Sequence, residues 1–233
     1  MVQPIVLTQA DKDWLLTYHP ELKLNGAKIC GPLRFAFPIR KERISDCYEI
    51  EISLCSSERS SLPRVKETGG RIERTPDMHI NPADGTTCLC APIKEKNFQE
   101  DASMENFFSN YLVPYFAAQS FFEKNGEWPW GEYEHGVLGV LESIAEMWPQ
   151  IRQKEFVAKS LHQLATNCLP DQKLLLRKMI VEKAKIKTHQ NCMCSSGHCF
   201  SQCHQKALNA VKLLRGEWRN HLNRSEIEEV FAS

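Results

Sequence analysis

The chain has 233 residues, long enough for one large domain or for a domain with an appendage. Its 29 basic and 29 acidic side chains balance, so the overall charge favours neither nucleic acid nor an anionic membrane, and neither is expected as a partner. The sequence has no apolar run of membrane-spanning length and no signal-peptide pattern in residues 1–10, which predicts a cytoplasmic protein.

The first part of the chain predicts one helix followed by an antiparallel meander. Apolar residues at helical spacing place the helix at 7–18, with Thr8 as its cap. Alternating patterns place two strands at 33–37 and 48–54, and a third strand, shortened by a proline, near 62–65.

The second of these strands has one apolar and one charged face. Ile50 and Ile52 alternate with glutamates such as Glu51, which is typical of a half-buried strand whose isoleucines face inward. The charged connection 40–46 suits a hairpin with the preceding strand, and that strand is expected to end at Pro38.

Residues 79–92 follow the meander and are rich in turn formers. Two turn dipeptides, Asn-Pro at 81–82 and Asp-Gly at 84–85, should fold the backbone back twice and present Cys88 after a compact loop. Asn81, seven positions earlier, can then come close. A thiol beside an amide suggests nucleophilic chemistry, in which the thiolate attacks and the amide stabilises the oxyanion. A small buried hydrophobe is the alternative role for this cysteine.

The same stretch carries a family resemblance. His79-x-Asn81, a turn and Gly85-x-x-Cys88-Leu89 resemble the active-site segment of ubiquitin-conjugating enzymes, which read His-Pro-Asn, a turn and Gly-x-Ile-Cys-Leu. The resemblance implies that Cys88 carries a ubiquitin-like modifier as a thioester and passes it to an amine, hydroxyl or thiol. It also implies that Asn81 supports the loop and the oxyanion, and that His79 is a structural hydrogen-bonding residue. The implied partners are a ubiquitin-like modifier protein, an activating enzyme and a protein target.

The segment departs from the family pattern at several points. Ile80 replaces the family proline, the loop is one residue shorter, and no Trp-x-Pro follows soon after the cysteine. Cys90 is a second candidate nucleophile, but it lies where the family has none. The alternative function is therefore a non-catalytic adaptor of the same fold, which binds a protein partner through its sheet or through the cysteine-rich segment described below.

Beyond this segment the pattern becomes helical. Residues 104–124 are rich in aromatic side chains and are expected to form a core helix that is broken or kinked at Pro114. Residues 126–136, which include Trp-Pro-Trp-Gly at 128–131, should form a rigid turn. This turn either covers the active site or packs as an aromatic corner.

The domain organisation is inferred from the helices that follow. A helix with one apolar face is expected over 137–148, and Pro149 ends it. The sequence thus predicts an α+β domain with a ubiquitin-conjugating-like (UBC-like) meander and flanking helices over 1–150, and a helical extension over 151–233. One helix of the extension, 171–187, has a basic face, expected to be solvated rather than to bind an acidic partner.

A second cysteine cluster lies at 192–204. Without an export signal, the ten cysteines are expected to be metal ligands and reactive or buried thiols rather than disulfides. Cys192, Cys194, Cys203 and His204 supply the four N and S ligands that tetrahedral zinc prefers. Their Cys-x-Cys-x8-Cys-His spacing resembles the zinc motif at the C-terminus of the SecA translocation ATPase.

The expected cofactor is therefore one structural zinc ion, held in a knuckle within the helical extension. His198 and Cys199 lie inside the same segment, and either is an alternative ligand. The helix after the knuckle carries an apolar stripe that is expected to dock on the preceding helices: Leu208, Val211, Leu214, Trp218 and Leu222.

Overall fold

The strands of the computed structural model are β1 (Gln3–Pro4), β2 (Lys23–Asn25), β3 (Lys28–Ile39), β4 (Glu42–Ser53), β5 (Cys55–Ser56) and β6 (Arg64–Glu67). The strands β2, β3, β4 and β6 form a four-stranded antiparallel sheet in that order, and β1 pairs with β5. The structure describes residues 3–56, 61–91, 95, 98, 101–130, 133–134, 136–148, 154–182, 190–194 and 196–232. The predicted α+β class and antiparallel meander are therefore confirmed.

The hairpin of β3 and β4 is longer than the sequence predicts. The two strands pair continuously from Lys28 opposite Ser53 to Ile39 opposite Glu42, so the turn is confined to residues 40–41 and not to 40–46. The prediction that Pro38 ends β3 is also wrong. β2 pairs with β3 only at residues 28–30, and no described strand covers the far side of β3 near Pro38, where a missing amide is tolerated.

Period-two alternation assigned the faces of β4 correctly. Ile50 and Ile52 are at most 1% exposed, whereas Glu51 is half-buried on the other face and forms an ion pair with Lys28 at 2.9 Å. Ile52 lies between Ile29 on β3 and Val65 on β6, both of which are fully buried. The inner face of the sheet thus belongs to the main hydrophobic core.

A capped first helix, α1 (Gln9–Tyr18), precedes the sheet. The Thr8 hydroxyl accepts a hydrogen bond from the Asp11 amide, and the Asp11 carboxylate accepts one from the Thr8 amide. This capping box satisfies two amides of the first turn, as the sequence predicts for Thr8. Asp11 also accepts the Met104 amide at 2.8 Å and so ties α1 to the start of the aromatic helix.

The aromatic helix changes its winding before Pro114. It runs as α2 (Met104–Phe107), a π-helical turn (Phe108–Leu112) and α3 (Val113–Asn125). The wider π turn accommodates the loss of the proline amide without ending the helix. The predicted break or kink at Pro114 is therefore a local change from α-helical to π-helical winding. Its buried aromatic side chains pack in the core as predicted: Phe107, Phe108, Tyr111, Tyr115, Phe116 and Phe121.

The second part of the chain is helical. It contains α4 (Gly136–Met147), α5 (Lys154–Asn167), α6 (Pro170–Ile180), α7 (Phe200–Cys203), α8 (Gln205–His221) and α9 (Arg224–Ala232). The apolar stripe from Leu208 to Leu222 is buried, and α8 packs against α4, α5 and α6, as predicted. The described part of the basic helix is α6, and residues 183–187 of the prediction lie outside the described residues.

The contacts divide the chain into two units, Met1–Glu132 and Tyr133–Ser233. This division precedes the predicted boundary at 150, because α4 packs against α5 and α8. Pro149 itself lies outside the described residues. Among the described residues, no helix combines the length and the apolar character needed to span a bilayer.

Candidate functional site

A short antiparallel hairpin presents Cys88. Ile80 and Thr87 form its central bridge, the Asn81 amide donates to the Thr86 carbonyl at 2.8 Å, and the Cys88 amide donates to the His79 carbonyl at 2.8 Å. His79 is therefore the residue directly opposite Cys88. Asn81 is its diagonal neighbour, a position about 7–8 Å away on the same side of an antiparallel pair.

The hairpin is fixed to the sheet and to the core. The Thr87 amide donates to the Val65 carbonyl of β6 at 2.9 Å, and Thr86 bridges to Lys66. Ile80 is 2% exposed and belongs to the main core, while Cys88 is exposed. Side chains alternate along an extended segment, so the burial of Ile80 directs Asn81 to the side on which Cys88 lies.

The turn of the hairpin has the predicted chemistry. The Asn81 side-chain oxygen accepts the Ala83 amide at 3.1 Å, and the Gly85 amide donates to the Asn81 carbonyl at 2.8 Å. Gly85 adopts a φ of 72°, a left-handed conformation that glycine tolerates best. The Asp84 carboxylate accepts hydrogen bonds from the amide and hydroxyl of Thr86. Asn81 thus supports the loop through its side chain, and its contribution to an oxyanion site stays a prediction.

The two cysteines after the turn differ in their surroundings. Cys90 is half-buried and packs against the main core together with Leu89. Cys88 retains an exposed surface, yet the surrounding protein partly desolvates its thiol, and this burial raises the pKa of Cys88 above its ordinary value. The Asp84 carboxylate raises this pKa further. The accessible cysteine is therefore Cys88, and its thiol is predominantly protonated at neutral pH.

His79 packs against Trp128, which belongs to an aromatic pair beside the hairpin. It follows the short 3-10 helix Pro76–Met78 with a φ of 53°, and its ring lies 4.8 Å from the ring of Trp128. Trp128 in turn stacks on Phe122 of α3, with 4.5 Å between ring centroids. The described part of the Trp-Pro-Trp-Gly turn is therefore an aromatic corner that borders the cysteine hairpin.

Two residues of α3 support this loop and were not predicted from the sequence. The Gln119 side chain donates to the Met78 carbonyl at 2.8 Å, and the Tyr115 hydroxyl lies 3.4 Å from the His79 carbonyl. Burial raises the pKa of Tyr115 far above its ordinary value, so the phenol stays protonated and acts as a donor. In the sequence, Gln119 and Tyr115 are marked only by their polar groups on an otherwise apolar face of the helix.

The second site is a cluster of cysteine and histidine side chains. Among the described residues, the donor atoms of the four predicted metal ligands lie within 4.8 Å of one another. The Cys192 sulfur is 3.0 Å from His204 Nδ1, and the Cys194 sulfur is 3.5 Å from the Cys203 sulfur. Cys192 and His204 are buried, Cys203 is half-buried and Cys194 is exposed. This group can hold a metal ion.

Backbone hydrogen bonds shape the cluster into a knuckle. Asn191 and Cys199 form an antiparallel bridge, and the Cys192 amide donates to the His198 carbonyl at 2.9 Å. Gly197 makes the turn between them with a φ of 78°. Cys199 is the N-cap of α7, and its carbonyl accepts a hydrogen bond from the Cys203 amide at 2.9 Å. His198 and Cys199 thus build the backbone of the knuckle, while the four predicted ligands supply the clustered donor atoms.

The donor set fits a tetrahedral zinc ion. Bond lengths of about 2.3 Å to sulfur and 2.0–2.1 Å to nitrogen imply ligand–ligand separations of roughly 3.5–3.8 Å in a tetrahedron. Two separations, 3.0 and 3.5 Å, lie near this range, and all four donor atoms lie within 4.8 Å of one another, so the group is compact enough to close around such an ion. The hydrogen bond between the Cys194 and Ser196 side chains lowers the pKa of the exposed Cys194, whereas burial raises the pKa of Cys192. A bound cation would stabilise both thiolates.

Comparisons of the whole chain with protein-family models, with curated proteins and with solved structures gave no match.

Proposed function

We propose that the protein carries a ubiquitin-like modifier as a thioester on Cys88. The thiolate of Cys88 attacks the carbonyl carbon of the acyl group that the activating enzyme holds as a thioester. A new carbon–sulfur bond forms, the old one breaks, and the activating enzyme regains its thiolate. An acceptor amine, hydroxyl or thiol then attacks the same carbon, displaces the Cys88 thiolate and loses its proton to solvent or to a nearby base.

One observation carries this proposal: the motif His79-x-Asn81 and Gly85-x-x-Cys88-Leu89 coincides with a hydrogen-bonded hairpin that exposes Cys88 while Leu89 is half-buried against the core. Hydrogen bonds to the edge strand β6 and to α3 fix the hairpin on two sides. A fixed, accessible thiol next to an extended backbone suits transfer between large protein partners, because positioning contributes much of the rate.

The raised pKa of Cys88 affects the first transfer step and also bears on the alternative function. The thiolate is scarce at neutral pH, so the first step depends on positioning by the activating enzyme rather than on a strongly ionised thiol. The same observation favours the alternative, a non-catalytic adaptor of the same fold that binds a partner without forming a covalent bond.

We infer further that the ion held by the knuckle is zinc and that its role is structural. Cys192, Cys194, Cys203 and His204 would occupy all four tetrahedral positions, which leaves none open for a substrate. Binding energy on the order of 10–16 kcal/mol, as in zinc-finger peptides, would order this short cysteine-rich segment.

The proposed thioester is tested by trapping it. Cys88→Ser, produced in the native host, should accumulate a stable oxyester adduct that is visible as a mass increment of a small protein, because serine esters resist thiols. Cys90→Ser is the matched control and should retain the thiol-labile adduct of the wild type. If Cys90→Ser alone abolishes the adduct, the nucleophile is misassigned. If none of the proteins carries an adduct, the adaptor function is favoured instead.

A further inference from the structure

The two ring nitrogens of His204 face different partners. Nδ1 lies 3.0 Å from the Cys192 sulfur and therefore points into the cysteine cluster. Nε2 lies 3.1 Å from a carboxylate oxygen of Glu134 on the other side of the ring. His204 is 9% exposed, so water has little access to its ring. The Glu134 carboxylate therefore supplies the hydrogen-bond acceptor for Nε2 that water supplies for an exposed histidine.

From this geometry we propose that Glu134 is the outer-sphere carboxylate of the metal centre and holds His204 in the tautomer that binds through Nδ1. The proposal rests on the metal site inferred above. In a neutral imidazole only one nitrogen carries a proton, and a proton donated from Nε2 to Glu134 leaves the lone pair of Nδ1 free for the metal. Glu134 itself does not touch the ion and is a positioning residue.

Glu134 is held in place by the helix that follows it. Its backbone amide donates to the Glu142 carboxylate of α4 at 3.1 Å. His204 precedes α8, and α8 packs along α4. The contact between Glu134 and His204 therefore links the segment before α4 to the knuckle before α8. Binding of the ion should order residues 133–134 as well as the knuckle.

The size of the effect follows from known metal sites. Outer-sphere carboxylates fix the ring orientation of a ligating histidine and raise its basicity, and their loss typically lowers metal affinity 10–100-fold. Glu134→Ala removes the acceptor and should show this loss. Glu134→Gln keeps a neutral acceptor at the same place and should show a smaller loss.

The test measures zinc affinity by competition with a chelator for the wild type, the two Glu134 variants and Glu142→Gln. Glu142→Gln is the matched control: it neutralises the adjacent carboxylate, retains an acceptor for the Glu134 amide, and should bind zinc like the wild type. Circular dichroism shows whether each variant keeps its helices.

A second measurement does not depend on affinity. Nitrogen chemical shifts of the zinc-loaded wild type should show His204 bound through Nδ1 with a proton on Nε2, and Glu134→Ala should weaken the protection of that proton from exchange. Equal affinity of Glu134→Ala and the wild type, or binding through Nε2, would overturn the role of Glu134 while leaving the zinc site intact. Absence of zinc from the wild-type protein would reject the metal site itself.

Discussion

Truncation of Ile52 to alanine tests the packing that supports the cysteine hairpin. Ile52 is 0% exposed and lies between Ile29 and Val65, each 1% exposed, so the neighbours have little freedom to fill the space that the truncation leaves. Isoleucine-to-alanine changes in cores cost about 2–5 kcal/mol, and the tight surroundings place this site at roughly 3–4 kcal/mol. The Val65 carbonyl also accepts a hydrogen bond from the Thr87 amide, so the loss of packing around Val65 should destabilise the cysteine hairpin as well.

The assay is hydrogen exchange of the β4 amides as a function of urea concentration. With an m-value of about 1–3 kcal/mol/M, a loss of about 3 kcal/mol in the free energy of unfolding should lower the midpoint of urea unfolding by roughly 1–3 M. Glu51→Gln is the matched control on the outer face. It removes the charge that pairs with Lys28 but keeps the shape, and an exposed ion pair contributes only about 0–1 kcal/mol. Equal midpoints for the two variants would refute the assigned faces of β4.

Three further predictions concern the metal, pH and thiol reactivity. Metal analysis should find the proposed zinc equivalent in the wild type and in Cys199→Ser but not in Cys203→Ser; the opposite result for the two variants would exchange their roles. Hydrogen bonds from Arg71 lower the pKa of Asp46 to about 2 from an ordinary 3.8. The lowered pKa means that this stabilisation is present above about pH 4 and is lost as the pH falls towards 2. Solvent screening limits it to about 1 kcal/mol, and acid titration of Asp46→Asn should lack this step. The alkylation rate of Cys88 should still be rising with pH above about 8.5, where that of an ordinary thiol begins to level off, and Asp84→Asn should speed alkylation at pH 7.5 by lowering the pKa of Cys88. An unchanged rate would show that Asp84 does not act on the thiol.

Local patterns predicted those parts of the fold that local physics determines. Alternation identified the buried face of β4, and Thr8 capped α1 where the sequence placed it. The predictions failed where contacts between residues distant in the sequence determine the local structure. Pro38 lies in a part of β3 whose far side no described strand covers, and Pro114 is accommodated by a π turn; neither neighbourhood can be inferred from residues close in the sequence.

The candidate sites show the same division. Turn dipeptides and the Cys-x-Cys-x8-Cys-His spacing lie within short segments, so the sequence located both the hairpin and the four side chains whose donor atoms cluster. The supporting residues come from far along the chain. Gln119 reaches the Met78 carbonyl and Glu134 reaches His204 only because helices pack in particular positions, and a single sequence does not contain that information.

The most direct test of the central proposal is the intact mass of the wild-type protein isolated from its native host under acidic, non-reducing conditions. We expect a fraction that carries one additional small protein, released by a thiol reductant and mapped by peptide analysis to the peptide that contains Cys88. A mass that never exceeds that of the bare chain, or an adduct that maps to any other residue, would contradict it.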